Sequence, residues 1–150
     1  MSETTRIEPV VKTITVGCPL ERAFTVFTRE IGTWWPTESH ALHAGEVQQG
    51  VWEEHEGGEV YEIATSGARG RWATVVRWEP PHRLVIAWQV NPERAGTEVE
   101  VRFTETPEGT RVELEHRGFE AVADGAAMRD GYDPGWDEVL GRFTASLGGG

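Results

Sequence analysis

The chain has 150 residues, of which 38% are hydrophobic and 26% are charged, and its formal net charge is −11. This length predicts a single domain over residues 1–150 with an ordered core at about 8–147, and no apolar run approaches the ~20 residues of a membrane-spanning helix. The acidic balance disfavours nucleic acid and membrane insertion, because anionic partners are bound through Lys and Arg.

The content of potential metal and redox ligands is low. Cys18 is the one cysteine, which excludes an internal disulfide and favours a reducing compartment. The first residues lack the apolar stretch of a secretory signal, so we expect a cytoplasmic protein. His40 and His43 have a spacing that metal ligands can use, but no third ligand accompanies them. We therefore expect neither a metal nor a cofactor.

The first elements are a strand and a helix. Alternating residues predict a strand at 8–16. Pro19 is suited to the first helical position, where a missing N–H costs nothing, and apolar residues follow at helical spacing as far as Ile31. The spacing predicts one helix with a single buried stripe, ending at Gly32. An irregular segment to residue 44 is expected to follow, with Trp35 on the rim of a cavity.

From residue 45 the hydrophobic period is two, which indicates strands separated by turns of glycine and proline. The predicted strands are 47–54, 59–64, 71–78, 83–90, 98–104 and 111–115. Two inward faces are predicted from parity, one with Trp72, Thr74, Val76 and Trp78 and the other with Leu84, Ile86, Trp88 and Val90. Strands with one polar and one apolar face are typical of an antiparallel sheet covered on one side.

The last predicted element is a helix. Asp133 followed by Pro134 is a helix-start signal, with Asp as the N-cap, and apolar residues from Trp136 to Leu147 share one face. The preceding glycine-rich stretch is interpreted as a connection, with residues 124–133 as a candidate lid. The elements together predict an α+β fold, in which a curved antiparallel sheet carries helices on one face and a cavity lies beneath the last helix.

The candidate site is aromatic with few polar groups. Seven tryptophans are present, and three of them come from elements predicted to face one another. His116 has inward parity, and Glu62 is the acid most expected to reach the cavity; Tyr61, with the opposite parity, is the alternative. A buried Glu–His pair suits acid–base chemistry, whereas a partnered histidine is structural. The predicted ligand-binding residues are Trp35, Tyr61, Glu62, Trp72, Trp88, His116 and Trp136, and none is assigned a catalytic role.

Several motifs carry a resemblance to a known family. They are TREIGTWWP at 28–36, GG at 57–58, YE at 61–62, VRWEPPHRL at 76–84, TRVELEHRGF at 110–119 and GW at 135–136. In this order they resemble the bacterial branch of the Hsp90-ATPase-activator-homologue family, within the START-like, polyketide-cyclase-like superfamily. Trp72 is followed by Ala73 where the family commonly has Trp-Gly. The resemblance implies a helix-grip fold, in which the sheet wraps a long C-terminal helix and a helical segment follows the first strand.

The resemblance leaves three functions open, because one fold hosts many roles. The first, which we favour, is binding of a hydrophobic or amphipathic small molecule between the sheet and the last helix. The second is a cyclase-like enzyme acting on a polyketide or aromatic substrate in the same cavity, which a Glu62–His116 pair without structural partners would indicate. The third is an interaction module with a chaperone, or a second copy of the chain, as its partner.

Overall fold

The computed structural model describes residues 7–35, 45–88, 96–122 and 124–147. The elements are β1 (Val10–Val16), α1 (Leu20–Thr28), α2 (Ile31–Trp34), β2 (Val47–Trp52), β3 (Glu59–Ala64), β4 (Arg69–Glu79), β5 (Arg83–Trp88), β6 (Thr97–Thr106), β7 (Gly109–Arg117), a short 3-10 helix (Phe119–Ala121) and α3 (Gly125–Leu147). The strands form one antiparallel sheet in the order β1-β7-β6-β5-β4-β3-β2. The predicted α+β helix-grip fold is confirmed.

The core lies between the concave face of the sheet and the helices. Phe27 of α1 is at its centre, with its ring centroid 5.7 Å from Phe103 of β6 and 5.2 Å from Phe143 of α3. All three rings are buried, as the predicted alternation in β6 and the predicted stripes on both helices require. Burial of these rings stabilises the packing of α1 and α3 against the sheet by about 2 kcal/mol each.

The first helix is shorter than predicted. It ends at Thr28, whose hydroxyl donates to the Phe24 carbonyl at 2.8 Å, and the separate one-turn helix α2 follows. Gly32 lies inside α2 and does not end α1. A Cβ at Gly32 would lie 2.9 Å from the backbone nitrogen of Gly50. The glycine therefore serves a close approach of α2 to β2.

The inward-facing residues predicted for the middle of β4 are wrong. Trp72 and Trp78 pack in the core, but Thr74 and Val76 do not. The buried residues between them are Ala73 and Val75. The register shifts once between β3 and β4, at Trp72, and once between β4 and β5, at Val76. Each extra residue reverses the inward parity of the residues that follow.

Helix α3 begins at Gly125 and includes residues 125–133, which are most of the segment predicted as a lid. Pro134 lies inside the helix, where it removes one backbone hydrogen bond. Contacts with the start of the chain hold the turn before it: Lys12 forms an ion pair with Asp133, and Arg129 donates to a backbone oxygen next to β1 at 3.1 Å. These tertiary contacts outweigh the local helix-start signal, and the predicted N-cap at Asp133 is wrong because this residue lies inside α3.

The outer face of the sheet carries an ion network. Glu100 of β6 is 5% exposed and accepts hydrogen bonds at 2.7 Å from Arg83, Arg102 and Arg117. Burial alone would raise the pKa of Glu100, but the three guanidinium groups outweigh it and lower the pKa to about 2.

Among the described helices, none has the length and apolar character needed to cross a membrane.

Candidate ligand site

Four indoles meet between the sheet and α3. We call Trp35, Trp72, Trp88 and Trp136 the indole cluster. The ring centroid of Trp35 lies 4.9 Å from that of Trp72 and 6.0 Å from those of Trp88 and Trp136. Each of the four residues is less than a tenth exposed. The structure thus brings together four residues that are far apart in sequence and were predicted to face one cavity.

Three of these indoles donate hydrogen bonds to side chains of neighbouring elements. The pairs are Trp72 with a Glu62 carboxylate oxygen (2.6 Å), Trp88 with the Tyr132 hydroxyl (2.8 Å) and Trp136 with Nδ1 of His116 (2.9 Å). A buried indole N–H without an acceptor would cost about 1–3 kcal/mol. These bonds therefore fix the orientation of three of the four indole rings.

His116 points inward, as its parity predicted, and is fully buried. Trp136 donates to Nδ1, so Nδ1 carries the lone pair and the ring proton is on Nε2. Nε2 lies 2.6 Å from the Thr97 hydroxyl and donates to it, and that hydroxyl donates to the backbone oxygen of Trp88. Burial lowers the pKa of His116 to about 3. The imidazole is neutral and both of its nitrogens are engaged.

Of the two neighbours on β3, Glu62 reaches the interior and Tyr61 does not. Glu62 is fully buried against Trp72, whereas Tyr61 is half-buried on the opposite face. The guanidinium carbon of Arg69 lies 3.8 Å from the centroid of the Tyr61 ring. Successive residues of a strand point to opposite faces, so Tyr61 is placed outside the indole cluster.

Sequence reasoning missed Tyr132, which joins the cluster to His116. Its hydroxyl accepts from Trp88, and its ring centroid is 4.6 Å from that of His116. The residue was assigned to a connection before the last helix. A signal was present, since Tyr132 precedes Trp136 by four residues and would share its face of a helix extended in the N-terminal direction.

The polar groups of the cluster do not form the pair expected of an enzyme. Glu62 accepts from Trp72, and His116 has partners on both nitrogens. Within the described ranges, no three metal-ligating side chains come together. The histidine pair considered as metal ligands, His40 and His43, lies outside the described residues.

The cluster is closely packed. At centroid separations of 4.9–6.3 Å the rings pack against one another, and Trp35 and Trp88 each contact the other three. Two clefts of about 600 and 490 Å³ lie at the surface near the Pro80-Pro81 turn. None of the predicted ligand-binding residues lines either cleft.

The sequence and the fold agree with a known family. The family model described as Activator of Hsp90 ATPase homolog 1-like protein matches residues 17–148. The chain belongs to this family. The match begins just after β1 and ends one residue after α3, so it includes every residue of the indole cluster. Curated proteins, searched by sequence, give no match.

Solved structures extend the comparison. An anthrahydroquino-gamma-pyrone synthase, Txn09, in a complex with a ligand designated SUM, is 35% identical over 93% of this chain and 97% of its own, with a TM-score of 0.66. The protein MLL2253 from Mesorhizobium loti is 20% identical over 91% of this chain and 94% of its own (TM-score 0.68). CalU16 from Micromonospora echinospora is 23% identical over 91% of this chain and 72% of its own (TM-score 0.60). The last two show the shared fold alone.

Proposed function

We propose that this family member binds a hydrophobic or amphipathic small molecule at the indole cluster. The cluster carries the proposal, because four indoles from four elements converge at one buried place beside the polar groups of Glu62 and Tyr132. Small-molecule sites are typically apolar and aromatic with a few fixed polar groups. Contact with the rings would favour binding by about 25 cal/mol per Å² of buried apolar area, before entropic losses.

The similarity to Txn09 supports the proposal. The name of that protein denotes a synthase of a fused-ring compound, and the two chains are 35% identical over nearly their whole lengths. A fused-ring molecule with oxygen substituents offers both the apolar faces that indoles bind and the polar atoms that a carboxylate or hydroxyl can orient. We infer that the ligand belongs to this broad class.

Titration calorimetry tests the proposal with palmitate, quercetin and 1,8-dihydroxyanthraquinone as probes. We expect micromolar binding of at least one probe. Trp72→Phe removes the donor to Glu62 and should weaken binding about tenfold. Trp52→Phe is the matched control: Trp52 lies outside the cluster and its Nε1 has no partner among the described residues, so affinity should not change. Absence of binding by all three probes, with no small molecule retained in native mass spectrometry, would refute the proposal.

A cyclase-like enzyme is the second candidate, and the identity with Txn09 is the observation that favours it. The hydrogen bonds weigh against His116 as a base, since its one lone pair accepts from Trp136 and its pKa is lowered to about 3. The mass of a linear polyketide analogue after incubation separates the two functions. Loss of water identifies a cyclase, whereas an unchanged bound analogue identifies a binding protein.

Location and protein partners complete the proposal. We infer action in the cytoplasm, which the single cysteine Cys18 supports. A chaperone partner, suggested by the description of the family, stays a prediction. It is checked by the ATPase rate of bacterial Hsp90 with and without the protein: stimulation would support an interaction module, and an unchanged rate would count against it.

A further inference from the structure

We propose that the cleft of about 490 Å³ beside the Pro80-Pro81 turn binds a short, extended segment of a partner protein that carries proline and one basic side chain. We call it the α1 cleft, because it lies between α1 and the end of β4. No residue of the indole cluster lines it. The peptide site is therefore separate from the small-molecule site proposed above, and neither depends on the other.

One wall of the α1 cleft is a side of the helix. Glu21, Thr25 and Arg29 follow one another at four-residue spacing, so they lie on the same side of α1, and Phe24 lies next to Thr25. From Glu21 to Arg29 the helix rises roughly 12 Å, at 1.5 Å per residue. A chain in the polyproline conformation advances about 3.1 Å per residue, so about four residues of a bound segment span this wall.

The opposite wall is aromatic and rich in proline. Trp78, near the end of β4, is half-buried, and its ring centroid lies 5.0 Å from that of Phe24. Pro80 and Pro81 continue this wall. Segments in the polyproline conformation dock in aromatic-lined grooves, because they are ordered before they bind. A low ordering cost favours such a segment at a surface cleft, where the contact area is small.

Two hydrogen-bond donors of the α1 cleft have no partner within the part of the chain that the structure describes. They are the indole N–H of Trp78 and the hydroxyl of Thr25. The N–H of Trp78 is open to solvent, unlike that of Trp52, which is buried. A peptide offers a backbone carbonyl oxygen at every residue. The bound segment can therefore supply an acceptor to these donors whatever side chains it carries.

The charges of the α1 cleft favour a basic side chain. Arg29 donates hydrogen bonds of 3.1 Å to both carboxylate oxygens of Glu54, which neutralises one end of the cleft. Glu21, at the other end, is exposed and has no ion-pair partner among the described residues. The net charge of −11 also attracts a cationic partner. An arginine or lysine of the bound segment would therefore pair with Glu21.

The test uses the acetylated and amidated peptides PPRP and PPAP in ¹H–¹⁵N NMR titrations of the whole chain. We expect PPRP to shift the indole N–H resonance of Trp78 and the amide resonance of Thr25 along saturable curves. PPRP should bind about two- to fivefold more tightly than PPAP, which is the usual effect of one exposed ion pair. Trp78→Phe, followed through Thr25, should weaken both peptides by about threefold or more, because it removes a donor to the peptide backbone.

Two acidic positions separate local pairing from general attraction. Glu21→Gln should abolish the preference for PPRP over PPAP. Glu46→Gln is the matched control, because it makes the same change of charge at an exposed residue. Glu46 directly precedes β2, whereas Glu54 of the cleft lies beyond the other end of that strand. The preference should therefore remain in Glu46→Gln.

Several results would overturn the peptide site. They are the absence of a saturable shift with both peptides, unchanged affinity in Trp78→Phe, and a preference for PPRP that survives in Glu21→Gln. Equal loss of the preference in Glu46→Gln would show long-range attraction alone and would overturn it too. So would binding of arginine amide as tightly as PPRP, because the cleft would then be a site for small cations. None of these results bears on the binding of 1,8-dihydroxyanthraquinone at the indole cluster.

Discussion

At the scale of the residue, His116 is a hydrogen-bonded part of the core. Its neutral ring accepts from Trp136 and donates to Thr97, which links α3 to β6 and β7. Its inward direction was predictable from strand parity. Its partners were not, because Trp136 and Thr97 are 20 and 19 residues away along the chain and come into contact only through the curvature of the sheet.

The first prediction concerns acid stability. Burial lowers the pKa of His116 from 6.5 to about 3 in the folded protein, so between these values the unfolded chain binds more protons. The stabilisation is complete above pH 6.5 and is lost as the pH falls towards 3, by up to about 1.4 kcal/mol per pH unit. In urea unfolding between pH 6.5 and 4.5, wild type should therefore lose stability more steeply than His116→Gln. The exposed His82 is the control, and His82→Gln should keep the wild-type slope; parallel curves for all three proteins would contradict the prediction.

At the scale of the element, alternation and helical spacing predicted the strands, the two main buried stripes and the indoles that meet. They could not reveal the bulges in β4, because an extra residue at Trp72 or Val76 changes the register without changing the composition. They also placed the start of α3 too late. Pro134 is a strong local signal, and the contacts of Lys12 that override it come from the other end of the chain.

Glycines of α3 supply the second prediction. A Cβ at Gly141 would meet nothing within 4 Å, so Gly141→Ala should stabilise the protein by about 0.5–1 kcal/mol through helix propensity. A Cβ at Gly125 would lie 1.9 Å from the Phe119 carbonyl oxygen, so Gly125→Ala should destabilise it. Urea midpoints measure both effects. If Gly125→Ala were as stable as wild type, the tight packing of α3 on the short 3-10 helix would be wrong.

At the scale of the whole molecule, the first strand is joined to the last strand and to the last helix. β1 pairs with β7, so that Val10 is opposite His116, and Lys12 forms ion pairs with Asp133 and Asp137 of α3. Separating β1 from the rest of the fold would therefore break its contacts with both β7 and α3. We propose on this basis that residues 1–150 unfold as one domain.

The third prediction follows from these contacts of β1 with β7 and α3. Tryptophan fluorescence, which reports the core, and far-UV circular dichroism, which reports the sheet, should give coincident urea transitions. Lys12→Met removes the ion pairs to α3 and should shift both transitions to lower urea together. Separate midpoints for the two probes would show that the chain contains more than one cooperative unit.

The contact between Gly32 and Gly50 has a consequence for the indole cluster. β2 is the outermost strand on one side of the sheet, and its backbone touches that of α2 with no side chain between them. Trp35 is attached to the end of α2. We therefore expect a displacement of this outer strand to shift α2 as well, and with it the Trp35 ring that α2 carries into the cluster.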